Sequence, residues 1–166
     1  MGNTFSRNEY QPNFFKVFPG SSNDFRTSQA NKLIENHIFL IDVARSKNRI
    51  NQINSVNVGD ILYLIIRKNN KYSEIYKATV TKSFQRNDFQ RTENHNSKYV
   101  ECGYDFTDAP TNWLDDLDEY FCEVNKWKQV NQSIVNNLEI YMKNRENIVG
   151  GFCAKTISQL NGNPEQ

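Results

Sequence analysis

Chemistry in a protein starts with the side chains that can carry it, and here they are few. The 166 residues contain two histidines, His37 and His95, and three cysteines, Cys102, Cys122 and Cys153. No C-x-x-C pair occurs, and four zinc ligands are collected only by pooling distant residues, so no metal is expected. Asp115, Asp116 and Asp118 are close in sequence, but adjacent residues seldom point one way, and the stretch reads as a solvated acidic loop. The G-x-x-x-x-G-K, G-x-G-x-x-G, G-x-S-x-G and H-E-x-x-H patterns are all absent, and Gly150-Gly151 alone is too little to cradle a phosphate. Catalysis requires a positioned constellation, and none is legible. The sequence reads as that of a non-enzyme without a cofactor.

Charge offers more. The chain has 20 Lys and Arg against 19 Asp and Glu, a formal net charge of +1. That near-balance hides a segregation. Residues 45–98 hold 11 basic and 4 acidic residues, whereas residues 99–123 hold 8 acids and no Lys or Arg. The basic stretch is interleaved with Tyr63, Tyr72, Tyr76, Phe84 and Phe89. Such a pattern suits a surface that follows a phosphate backbone while rings stack on bases. Its candidate contacts are Arg45, Arg49, Arg67, Lys68 and Lys77. The competing reading makes these ordinary solvated strand residues, facing the acidic segment across the fold.

These side chains need a scaffold, and the length favours one domain able to bury a sizeable core. Hydrophobic residues are only 37% of the chain, yet 11 Phe, 8 Tyr and 2 Trp are too many for a disordered polymer. No apolar run approaches the ~20 residues of a membrane helix. An odd number of widely spaced cysteines and no secretory apolar region suggest a reducing compartment, cytoplasmic or nuclear. The 24 asparagines are scattered rather than tracted.

Residues 13–18 (NFFKVF) read as a strand closed by Pro19-Gly20. A helix is expected from about Thr27 to Glu35, with Thr27 or Ser28 as its cap, followed by a buried strand, residues 38–43 (IFLIDV). The turn Val56-Asn57-Val58-Gly59-Asp60 then feeds the run 61–67 (ILYLIIR). Glycine supplies backbone freedom there, and the aspartate can bond its own turn amides. Beyond Lys68-Asn69-Asn70-Lys71 the chain alternates again, which predicts a β-hairpin. Residues 83–97 read as a polar connection and 99–104 as a strand. Trp113, Leu114 and Leu117 are assigned to a short helical turn in the acidic stretch, and 120–127 (YFCEVNKW) to a strand. Val130, Ile134, Leu138 and Tyr141 define a helical face, and 154–160 a last helical turn. Residues from Asn161 read as a frayed tail. The fold class expected is α+β, a curved, barrel-like mixed sheet with a few flanking helices.

This order resembles the PUA-like superfamily, and within it the EVE and YTH domains. The resemblance is carried by the strands NFFKVF and IFLIDV, the segment VNVGDILYLIIR with its return EIYKATVTK, and the late strand YFCEVNKWKQV. It covers residues 13–160, leaving 1–12 as a flexible N-terminal segment and 161–166 as a tail. It implies a module that binds RNA or DNA, in which aromatic rings hold a modified base. The rings available for that role are Trp113 and Trp127, although neither lies in a matching local motif and hydrophobic packing is the ordinary role of both. The neighbouring acids depart from the pattern, since carboxylates repel phosphate.

The opening Met1-Gly2-Asn3-Thr4-Phe5-Ser6 fits the N-myristoylation pattern. It supports a second reading: a viral or cellular structural or interaction protein, acylated at Gly2 and placed in the virion or the host-cell cytoplasm. One acyl chain gives only weak membrane association, about 10⁴ M⁻¹, and no polybasic cluster or nearby cysteine reinforces it.

Overall fold

The run that follows a Gly-Asp turn, Ile61–Lys68, lies in the interior of the sheet and sends its buried residues to alternate faces. The computed structural model describes residues 10–20, 25–44, 47–68, 71–88, 95–109, 117–134 and 157–166. In chain order these form β1 (Phe14–Val17), α1 (Phe25–Ser28), α2 (Asn31–Asn36), β2 (Ile38–Ala44), α3 (Lys47–Asn54), β3 (Ile61–Lys68), β4 (Lys71–Arg86), α4 (Lys98–Glu101), β5 (Leu117–Val124), β6 (Lys128–Val130), a 3-10 turn (Gln132–Ile134) and β7 (Ile157–Gln159). The strands make one seven-stranded sheet in the order β2-β5-β4-β3-β1-β7, with β6 added alongside β4. Strand β1 runs parallel to β3, and the other pairs are antiparallel. The mixed sheet is curled and open, within the expected α+β class.

The curl resides in β4. Its 16 residues pair with β3 up to Thr79 and with β5 from Val80 onward. Register breaks at Val80/Lys82 and Lys82/Gln85 mark where the strand bends, as bulges do. The Gly-Asp turn fixes the start of β3. Gly59 has φ +95° and donates its N–H to the Val80 carbonyl at 2.9 Å. Asp60, fully buried, accepts the Asn57 N–H at 2.8 Å, the Asn13 N–H at 3.0 Å and the Tyr10 hydroxyl. The aspartate thus bonds its own turn, as its position predicts, and also clamps the chain entering β1.

Each face of the sheet carries a core. One gathers Phe15, Val17, Phe39, Leu62, Leu64, Cys122 and Trp127, with Leu33 of α2 packed in. The other gathers Phe18, Tyr63, Ile65, Ile75, Ile134 and Leu160, with Phe14, Ile61 and Val130 at its margin. The alternation of β1 divides its residues between the two.

Several local expectations are corrected. The helix expected over 27–35 is two pieces, with a turn at Gln29-Ala30. Thr27 is buried inside α1, Ser28 Oγ donates back to the Phe25 carbonyl at 2.8 Å, and the N-cap position of α2 is Ala30, without a side-chain cap. Residues 83–86 continue β4 rather than belonging to a connection. Residues 98–101 are helical because the Ser97 side chain caps the turn, accepting the Tyr99 N–H, and Gly103 at φ +92° follows its end. Capping there overrides the extended preference of the apolar residues. Val130 ends β6, and 157–159 is a strand paired with β1. Within residues 161–166, Pro164 is buried and Glu165 pairs with Lys77. Of the helical turn expected at Trp113, Leu114 and Leu117, the first two lie outside the described residues and Leu117 opens β5; Leu138 and Tyr141 of the later helical face and residues 154–156 also lie outside them.

Candidate nucleic-acid interface

Directly paired residues in a sheet point to the same face, so the register defines a row across the second face. Ser158 of β7 pairs with Lys16 of β1, Lys16 with Tyr63 of β3, Tyr63 with Lys77 of β4, and Lys77 with Lys128 of β6. Three lysines and a tyrosine therefore align across the curl. Lys16 is 2% exposed, and its Nζ lies 4.8 Å from the Phe18 ring centroid, a cation–π placement. The Tyr63 hydroxyl, also buried, donates to Glu165 Oε1 at 2.7 Å, and Lys77 Nζ donates to the same oxygen at 2.6 Å. Burial, reinforced by the Glu165 carboxylate, pushes the Tyr63 phenol far up, so it stays a proton donor. At Glu165 burial raises the carboxyl, but the hydrogen bonds from Lys77 and Tyr63 outweigh it and hold the group below its ordinary value.

Lys77 and Lys128 stand directly opposite one another, an arrangement that opposes folding in an antiparallel pair. Lys128 is exposed, as is Lys126 in the turn before β6.

Further along β4 the basic side chains are also answered internally, as Lys77 is by Glu165. Lys82 lies 3.8 Å from Glu123, and Arg86 reaches Asp88 at 3.2 Å and Asp118 at 3.5 Å. Lys98 is 3.1 Å from Glu101 and stands over the Phe121 ring at 4.6 Å. For these residues, the pairing of the basic stretch with the acidic segment is what the structure shows.

A second polar cluster lies between β2 and β5. Asp42 and Glu119 are register partners, and both are buried. Asp42 accepts from the Arg26 guanidinium and from the Tyr99 hydroxyl, the latter at 3.2 Å. Burial pushes the Asp42 carboxyl up, against the pull of Arg26, and pushes the Tyr99 phenol well up. Glu119 accepts the Ser97 hydroxyl at 2.5 Å, the Lys98 N–H at 2.7 Å and the Asn87 amide at 2.6 Å. Edge-to-face rings of Tyr99 and Tyr104, 4.9 Å apart, close one side.

Of the residues singled out in the sequence, Lys77 is in the lysine row. Trp127 is 4% exposed, packed in the first core, with its indole N–H donated to the Ile38 carbonyl at 3.1 Å. Arg49 lies on α3, which packs against β2 and β7, away from Lys77 in the strand order. Arg67 pairs with Tyr72, and Lys68 with Lys71, at the hairpin end. Arg45, Trp113 and Gly2 lie outside the described residues. Tyr63 was named among the rings interleaved with the basic stretch, but its hydroxyl lies in the row as a hydrogen-bond donor; Lys16, Lys128 and Glu165 were not singled out. Cys102 is pushed up to about 11 by burial, and burial also raises Cys122, so neither is a ready thiolate. Among the described residues, no three His, Cys, Asp or Glu side chains are grouped to hold a metal ion.

No protein-family model matches the chain, and no curated protein matches it. Among solved structures, it is similar to human THYN1 protein in complex with 5-methylcytosine containing DNA, with a TM-score of 0.41 and 8% identity over 89% of this chain and 90% of that one. It is also similar to a hypothetical protein from Leishmania major, with a TM-score of 0.36 and 11% identity over 90% of this chain and 87% of that one.

Proposed function

We propose that the chain is a non-catalytic nucleic-acid-binding module of PUA-like type, and that the β3–β4–β6 corner receives the phosphate backbone. The observation that carries this reading is the Lys77–Lys128 pair. Two lysines held opposite each other across an antiparallel ladder repel; Glu165 answers Lys77 within the chain, and a bound phosphate would answer the exposed Lys128. Lys126 adds a third cation beside them. The finer part of the proposal is recognition of a modified base by an aromatic ring. It falls to Trp113, because the ring of Trp127 is taken up by the core.

Fluorescence anisotropy with single- and double-stranded oligonucleotides, carrying cytosine or 5-methylcytosine, tests both parts. Three lysines on phosphates give a log–log salt slope near −2.7 on duplex DNA, so affinity falls about 40-fold between 50 and 200 mM salt. Salt-independent binding, or no binding to any RNA or DNA, overturns the module reading. Equal affinity for modified and unmodified strands overturns only the finer part.

A further inference from the structure

Glu165 comes from far along the chain, 102 positions from Tyr63 and 88 from Lys77, yet one of its oxygens collects both donors. The carboxylate is presented by a local turn. Asn163 Oδ1 accepts the Glu165 N–H at 3.0 Å, and the Asn163 carbonyl accepts the Gln166 N–H at 3.2 Å. Pro164 in that turn is buried. The donor set is one ammonium and one neutral hydroxyl converging on a single anionic oxygen, which is how a phosphate oxygen is held. Lys128 stands across the ladder from Lys77, and Lys16 across from Tyr63, so lysine positions border the pair on both sides of the row. Solvent reaches the ion pair, the Lys77 and Glu165 side chains being 39% and 33% exposed. Ion pairs this exposed are individually weak and exchangeable.

We propose that Glu165 is the built-in occupant of a phosphate subsite formed by Lys77 Nζ and the Tyr63 hydroxyl, and that a nucleic-acid phosphate enters by displacing it. The inference rests on the reading given under Proposed function and adds to it a self-competing contact. Displacement uncovers the Tyr63 hydroxyl, which Glu165 now engages, and exchanges one singly charged oxyanion, the carboxylate, for another, the internucleotide phosphate, at unchanged donors. A phosphate from a nucleic acid and a free inorganic phosphate present the same chemistry, so both belong in the test.

The experiment compares the full chain with Glu165→Gln, titrated with pyrophosphate and with a single-stranded oligonucleotide. Glutamine keeps the shape and an acceptor for Tyr63 but removes the charge. The variant is expected to bind the oligonucleotide and pyrophosphate about tenfold more tightly than the parent, and adding Lys77→Gln is expected to cancel the gain. Unchanged affinity for both ligands in Glu165→Gln overturns the inference and leaves the module reading standing, provided the parent binds the oligonucleotide. Tighter pyrophosphate binding without any oligonucleotide binding supports the subsite and overturns the nucleic-acid reading. Should Glu165→Gln fail to fold, NMR of the unaltered chain decides. Saturation with oligonucleotide is expected to move the Glu165 and Gln166 amide resonances to unstructured positions, and resonances that stay in place overturn displacement.

Discussion

Two charged regions occupy one sheet, and they solve opposite problems. Between β2 and β5, Asp42 and Glu119 are buried side by side, yet each collects donors from the chain itself: Arg26 and Tyr99 for one, Ser97, Asn87 and the Lys98 amide for the other. At the β3–β4–β6 corner Lys16, Tyr63, Lys77 and Lys128 share a row, while Glu165 joins two of them. A buried charge that is fully answered inside holds elements together. Positive charge gathered at a partly open surface is suited to a partner. The contrast sets a polar site satisfied within the chain apart from the proposed binding corner.

The comparison breaks first at Glu119. Replacing it with Leu leaves a hydroxyl, an amide and a backbone N–H buried without their acceptor, at a cost of about 3 kcal/mol in urea unfolding. A loss below about 1 kcal/mol would show that the seam is not structural. Arg26→Met follows, at about 2 kcal/mol near neutral pH, with a dependence whose sign is fixed. Burial already raises the Asp42 carboxyl above 3.8, chiefly by desolvation, and losing the guanidinium raises it further. The folded chain then keeps a proton that the unfolded chain has released, so stability falls as pH climbs through the window above 3.8. The deficit of Arg26→Met against the parent is therefore expected to shrink on acidification toward that value, and denaturation curves across the range check it.

The smallest expected change in stability is at Lys128. Lys128→Ala removes one of two facing cations, so stability is expected to stay within about 0.5 kcal/mol of the parent, or to rise. Its signature is in binding: a salt slope smaller by about one, with affinity weakened uniformly across sequences. A variant that unfolds easily but binds normally would invert the distinction between the two regions.

How much of this was legible depends on range. The β3–β4 hairpin and the Gly59-Asp60 turn were readable because period-2 alternation and turn chemistry act over a few residues. The helix at 98–101 was not, since one serine side chain decides it against the apolar residues that follow. Lys77 was found through local charge density. Its partners were hidden because Glu165 lies 88 positions away and Lys16 enters the row through a parallel pairing with β3. The Asp42–Glu119 seam was hidden for the same reason: each acid is unremarkable alone, and only the β2–β5 register brings them together. The charge segregation visible in the sequence divides in three dimensions: Lys82 and Arg86 are met by acids of the 99–123 segment, whereas Lys77 is met by the distant Glu165 and faces another lysine.

The length of β4 has a mechanical consequence. A single strand of 16 residues is laced to β3 and β6 along its first part and to β5 along its last. Neither wall of the curl owns a separate spine, so loosening the acidic seam slackens the same thread that holds Lys77 opposite Lys128. Damage at one end is felt at the other through shared backbone, with no side-chain relay required.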